Sequence, residues 1–434
     1  MTRRDFGTML TAVTVAPSLR AAGVNPINIG SRRELFLDRE LIAEMRGARL
    51  RLALPIDAGP VLRLDRPWEG SFCGYSTILA DKDRFRLYYR GVPTAGQDGN
   101  FGEVTCYAES SDGKEWTRPT LGLFEVHGTR ENNVIYAGDP PFSHNFTPLI
   151  DTRPGTPASE RFKALAGIHK TGLYAFVSAD GVHWKKLGDR PALPAPKEFS
   201  LDSQNIAAWS ETEKRYVLYY RTWKRIGAVR YRWVSRAVSD DFRTFTSDGE
   251  MNYGDAPPEH LYTNQTSSYA RAPHLLVSIC ARFMPNREVV TPEEAKALRV
   301  DPGYFKDCSD AVFMTSRGGN RYTRTFMEAF LRPGVGLENW VSRSNYPGLH
   351  VLQTGPSTMS FFVNRNYGQP TAYLRRYELR LDGFASACAD YSGGEFVTHP
   401  LLFDGSRLEL NYSTSAPGDD RPSASEHARG DRAT

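Results

Sequence analysis

The chain has 434 residues, 40% of them hydrophobic and 24% charged, with a formal net charge of +4 at pH 7. That length can bury a large core, and 54 basic against 50 acidic side chains with no basic block argue against a nucleic-acid binder. Aromatics at 12%, with 37 Gly and 28 Pro, point to β-structure with many turns.

In chain order, Thr2-Arg3-Arg4-Asp5-Phe6 has the form of a twin-arginine export signal. The weakly apolar GTMLTAVTVAPSL follows, then Arg20 and the small residues Ala21-Ala22-Gly23. Residues 1–23 are therefore expected to be a signal peptide, and the mature protein to be periplasmic or extracellular. No other apolar run approaches the ~18 residues of a membrane span. Residues 24–60 predict a strand and a short helix that lead into or close the next domain. Five cysteines (Cys73, Cys106, Cys280, Cys308, Cys388) stand singly, without a CxxC pair, and read as buried free thiols. The histidines do not cluster with them, so no metal site and no cofactor is expected.

A repeat then organises the chain. SSDGKEW (110–116) and SADGVHW (178–184) match at Ser, Asp, Gly and Trp, and SDDFRTF (239–245) keeps the Ser, the Asp and a final aromatic. SRGGNRY (316–322) keeps the Ser, a glycine pair and the aromatic, and a degenerate copy lies at Leu381-Asp382-Gly383-Phe384. The third positions fall at 112, 180, 241, 318 and 382. Ahead of the first three copies stand β-type runs that open with Arg and an aromatic: RFRLYYR (84–90), RFKALA (161–166) and RYVLYYR (215–221). Looser equivalents follow at 273–283 and 358–363. Helical periodicity is nearly absent apart from 292–298.

Units of about four strands, repeated five times, predict an all-β, five-bladed β-propeller of four-stranded antiparallel blades over 61–385. The Ser and Asp of the motif are expected to bond turn amides, and Trp116, Trp184, Phe245 and Tyr322 to wedge between blades. Asp180 is thereby read as scaffold. Residues 386–412 predict a short β-strand extension and 413–434 a disordered tail.

The repeated S-x-D-[GL]-x-x-W turn resembles that of the five-bladed propeller glycoside hydrolases, the arabinanase/xylosidase, invertase/levanase and mannoside-phosphorylase groups. The resemblance covers roughly residues 35–385. The phrases LFLDRELI, DSQN, PPEHLYTNQT, SDAVFMTSRGG, ENWVSRSNYP and YGQPTAYLRRY are also similar to an uncharacterised family of exported bacterial propellers. The invertase-type WMNDPNG and RDP signatures are absent.

In a propeller the innermost strand of each blade lines the axial channel, so polar residues where each unit opens are the candidate ligand contacts. These openings contain Glu69; His144 and Asn145; Asp202, Gln204 and Asn205; Glu259, His260, Asn264 and Gln265; and Trp340 and Arg343. Glycoside hydrolysis needs two carboxyl groups across the scissile bond. The resemblance implies acids on the inner strands of blades one, three and four. It would make Glu259 the general acid, Asp202 the acid that orients and tunes it, and Asp38, or else Glu69, the base. The expected partner is a poly- or oligosaccharide, cleaved by acid/base catalysis. The alternative is a non-catalytic carbohydrate-binding or protein-interaction propeller.

Overall fold

The computed structural model describes residues 25–92, 94, 98–407 and 409–412. The expected signal peptide and tail lie outside the described residues.

The strands form the expected five-bladed propeller. Blade one is Gly74–Asp81, Arg84–Gly91, Val104–Ser110 and Val134–Tyr136. Blade two is Thr147–Ile150, Phe162–Ile168, Gly172–Ser178 and Lys185–Lys186. Blade three is Ile206–Ser210, Arg215–Ile226, Val229–Ser239 and Thr246–Glu250. In blade four an interrupted first strand, His260–Leu261 and Thr266–Tyr269, pairs with Ala272–Met284, which pairs with Cys308–Ser316. Its outer edge is a bridge from Thr315 to Thr323. Blade five likewise pairs Asn345–Pro347 and Leu352–Gln353 with Thr358–Arg365, followed by Tyr373–Arg380.

The fourth strand of blade five comes from the other end of the chain. Ile56–Arg63 pairs antiparallel with Tyr373–Arg380, with Arg63 opposite Tyr373 and Ile56 opposite Glu378. This closes the ring between the first and last blades. The remaining N-terminal strands pair with C-terminal ones: Ala48–Leu52 with Ala385–Ala389, Ile42–Arg46 with Glu395–Thr398, and Ile27–Gly30 in parallel with Leu401–Phe403. The lead-in segment is thus four strands; the short helix expected there is not found among its described residues. The helix at Pro292–Ala297 does form, with Thr291 and Glu294 making a capping box and proline in the first turn.

Each pair of neighbouring sheets encloses its own apolar layer. Phe362 and Leu374 of blade five meet Ile78 and Leu87 of blade one, and Leu79 and Tyr88 of blade one meet Phe162 of blade two. Leu165 meets Leu218 across blades two and three, Tyr219 meets Leu276 across three and four, and Ile279 meets Phe361 across four and five. Burial of one such side chain is worth about 1.5–3 kcal/mol, so the blades are stable as a stack and not singly.

The repeated turn has one hydrogen-bond pattern in three blades. Ser178 Oγ accepts from Gly181 N at 2.8 Å and donates to Asp180 Oδ1 at 3.0 Å; that same oxygen accepts from Val182 N and His183 N at 2.8 and 2.9 Å. Ser110 with Asp112, and Ser239 with Asp241, reproduce it. The motif aromatics pack on the preceding blade: Trp116 against Phe362, Trp184 against Tyr88, Tyr322 against Tyr219. Phe245 shares a cluster with Leu165 of blade two. All five cysteines are free, four of them buried.

Candidate active site at the propeller mouth

Antiparallel strand order assigns every loop to one of two rims. The start of a first strand shares a rim with the loop joining strands two and three; the repeated Ser-Asp turns, after strand three, lie on the opposite rim. First-strand openings and two–three loops therefore form one mouth.

At that mouth each blade has a non-glycine residue with φ in the left-handed region, at or just before its first strand. They are Tyr75 (51°), Asn145 (56°), Leu201 (68°), Gln265 (49°) and Arg343 (57°). Such conformations cost of order 1–3 kcal/mol each and concentrate at functional sites. Gln265 among them reaches across to Gln204, whereas Leu201 packs in the apolar layer between blades two and three.

Four arginines and five tyrosines gather there. Arg90 and Arg221 lie on the second strands of blades one and three, Arg232 on the third strand of blade three, and Arg343 before the first strand of blade five. The guanidinium carbons of Arg221, Arg232 and Arg343 lie 4.6, 5.0 and 5.4 Å from the ring centroid of Tyr262. Arg343 also lies 5.0 Å from Tyr304 and 5.8 Å from Tyr367, and Arg90 lies 4.6 Å from Tyr75. Gly74, Tyr75, Arg90, Arg343, Tyr346, Asn364 and Tyr367 line a recess in this cluster. Burial pushes the Tyr367 hydroxyl up to about 12, although Arg90 and Arg343 oppose the rise.

Two acids flank the cluster in contrasting environments. Asp202 is partly buried, its carbonyl accepts from Arg221 Nη1 at 3.2 Å, and no hydrogen bond or ion pair among the described residues engages its carboxylate. Asp307 lies in the two–three loop of blade four, with Oδ1 buried and unpartnered. Burial raises its carboxyl above the usual range, against the opposing effects of Ser342, Arg343 and Arg232.

The other residues expected at the site divide by position. Asp38 is not at the mouth: its Oδ2 accepts from Arg317 Nε at 3.2 Å, in the Ser316 turn on the opposite rim. Glu69 is fully buried between blades one and five, accepting from Tyr89 Oη at 2.6 Å and from Arg118 Nε at 2.7 Å. Neither expected position for the base is therefore available to a ligand. The Glu259 carboxylate is clamped by Arg282 at 2.6 Å and Arg324 at 2.5 Å, in a network that includes Asp310. Both its oxygens are taken, which opposes the expected role of general acid.

His260 lies 5.0 Å from the Tyr231 ring, and its Nδ1 accepts from Arg232 N at 3.3 Å. Burial, then Arg232 and Arg221, lower it to about 4, so it is neutral at pH 7. Gln204 and Gln265 meet on the axis: Gln265 Nε2 donates to Gln204 Oε1 at 2.7 Å, and Gln204 Nε2 donates to Thr77 Oγ1 at 2.9 Å. Asn205 and Asn264 brace backbone, the first accepting from Arg221 N and the second from Thr266 N. Trp340 donates to Gly334 O at 2.8 Å from a short 3-10 turn. Asn145 donates to Leu201 O, while its Oδ1 is buried and unpartnered.

His144 Nδ1 meets both oxygens of Glu103, at 3.0 and 3.1 Å. Burial lowers the His144 value, but Glu103 outweighs it, and the net shift is upward. With Asp98 these are the one grouping of three metal-type donors among the described residues, within 4.8 Å of one another. Arg90 Nη1 lies 3.4 Å from Asp98, so a guanidinium already supplies positive charge there. The donor set fits an internal ion-pair network better than a cation site.

Arg90, Arg221, Arg232, Asp307 and Glu103 escaped the sequence reading. Two of them had a signal: Arg90 and Arg221 are the final residues of the repeated runs RFRLYYR and RYVLYYR. The other three lie in or beside loops of unequal length, where no repeat aligns them.

No family model and no curated protein matches this chain. Solved structures do. One described as a glycoside hydrolase superposes with a TM-score of 0.50 at 12% identity, over 75% of this chain and 92% of that one. An N-acetylgalactosamine deacetylase from F. plautii gives 0.49 at 14% identity, over 76% and 96%. At these identities the likeness is one of fold, and the first of them shares this chain's propeller architecture.

Proposed function

We propose that the protein cleaves a glycosidic bond at the propeller mouth, with Asp202 and Asp307 as the carboxyl pair. The observation that carries this reading is their contrast across one arginine–tyrosine cluster. The Asp202 carboxylate is unengaged among the described residues, while burial raises the Asp307 carboxyl above the usual range and so favours its protonated form. Pairs of acids whose environments push them apart are how acid and base roles are divided. Asp307 is then the acid that protonates the leaving oxygen, and Asp202 the base or nucleophile. The tyrosines supply flat surfaces for a sugar ring, and the export signal read in residues 1–23 would bring the enzyme to extracellular glycan.

The test is turnover on a panel of oligo- and polysaccharides. Asp202→Asn and Asp307→Asn should each lower kcat by roughly 10²–10⁴-fold with unchanged circular dichroism. Glu259→Gln should alter thermal stability far more than kcat. Full activity in both aspartate variants would sink the assignment. Recovery of the protein in periplasm or medium, lost on Arg3→Lys with Arg4→Lys, tests export.

A further inference from the structure

We propose that the mouth recognises an acidic sugar, and that Arg221, Arg232 and Arg343 bind its carboxylate or sulfate group. The sugar-cleaving reading above enters only in the choice of a sugar as the bearer of that charge.

The rest of the molecule provides the comparison. Several arginines drawn into the fold elsewhere are matched by two acids each. Arg282 pairs with Glu259 and Asp310, Arg317 with Asp38 and Glu34, and Arg236 with Glu213 and Asp248. Arg221, Arg232 and Arg343 make no ion pair within 4.0 Å of any described residue. Yet all three converge on one tyrosine ring. Arg221 Nη2, Arg232 Nε and Arg343 Nε are buried donors without acceptors. An unmet buried donor costs about 1–3 kcal/mol, more when charged.

Mutual repulsion adds to this cost, since Arg232 is depressed by burial and then by Arg221, with Arg343 adding to it. The nearby acids relieve it only in part: Arg343 and Arg232 act on Asp307 from beyond ion-pair distance, Asp202 makes no ion pair among the described residues, and Asp98 pairs with Arg90. Stacking on tyrosine faces holds the guanidinium planes in place. Forks fixed in this way suit a planar carboxylate or a sulfate, which each offer several acceptor oxygens. A neutral sugar would leave the cluster's charge uncompensated.

Calorimetry on the full chain tests this with galacturonate, glucuronate and galactose 6-sulfate against galactose and glucose. The acidic sugars should bind roughly tenfold or more tightly than their neutral counterparts, and added sodium chloride should weaken them. Whether the uronates or the sulfate bind best identifies the anionic group. Arg343→Met and Arg232→Met should each lose roughly tenfold or more in affinity for the acidic sugar. Arg343→Lys, which keeps the charge but not the fork, should fall between and guards against a misfolded methionine variant.

Equal affinity for neutral and acidic sugars, no binding of any acidic sugar, or unchanged affinity in well-folded variants would each overturn the proposal. Binding of an acidic sugar without turnover of any glycan would defeat the cleavage reading and leave this one standing. Turnover of neutral glycans with no preference for acidic ones would do the reverse.

Discussion

Gly181 shows how closely single residues of the turn are specified. Its φ is +79°, and a Cβ there would stand 2.6 Å from Tyr88 Oη and 3.1 Å from Phe162. Tyr88 belongs to blade one and donates to Gly181 O at 3.0 Å, so the same atom that pins the blades together forbids a side chain. Gly181→Ala should cost about 2–4 kcal/mol in urea unfolding, combining strain and overpacking. Gly128→Ala, at φ +74° with open space around it, should cost only about 1–2 kcal/mol. The adjacent Asp180 also sets a pH dependence. Partial burial raises its carboxyl, but bonds from His183, Val182 and Ser178 outweigh that and hold it well below the usual range. Asp112 and Asp241 are likewise lowered. A carboxyl lowered on folding stabilises the protein above its unfolded value of about 3.9, and that contribution is lost as pH falls below it. Asp180→Asn should therefore be less stable than wild type at pH 7, and the gap in melting temperature should narrow in acid.

At the scale of elements, ring closure rests on one strand. Ile56–Arg63 supplies the outer edge of blade five, Asp57 pairs with Arg375 at 2.6 Å, and Leu62 is buried against the blade-one and blade-five cluster. The strand is 8 residues long, and its partner lies more than 300 residues away. Closing such a loop is entropically costly, so its packing must be good. Leu62→Ala should lower stability by about 2–5 kcal/mol, read as a shift in the denaturation midpoint. Deleting residues 25–63 should leave the outer edge of Tyr373–Arg380 unpaired, and light scattering should then detect aggregation. Such closure was legible only in part: residues 24–60 pointed to a closing strand and also to a helix, because apolar alternation over a few residues does not settle the choice.

At the scale of the whole molecule, the site is assembled from blades one, three, four and five, and its pH behaviour should reflect that. Burial raises Asp307, so an acid role requires its proton, and kcat should fall as pH rises through that elevated value. A glycoside with a good leaving group, such as a nitrophenyl glycoside, needs less protonation. Asp307→Asn should therefore lose much less activity on it than on a natural glycan, whereas Asp202→Asn should lose both equally. Equal losses in the two variants on both substrates would remove the division of roles.

What the sequence determined by itself was local. The Ser-Asp-Gly-Trp turn, the strands that precede it and their five recurrences identify the propeller, because turn chemistry and strand alternation act over a few residues. They also set Asp180 aside as scaffold, which its hydrogen bonds bear out. Only the tertiary structure decided which acids are spent on the fold. Asp38 is taken by Arg317 and Glu259 by Arg324, partners 279 and 65 residues distant. It also decided which cations have no such partner. A charge is free or occupied according to what long-range packing brings within a few ångströms, and no local pattern encodes that. Arg221, Arg232 and Arg343 meet around Tyr262 because three blades converge on one axis.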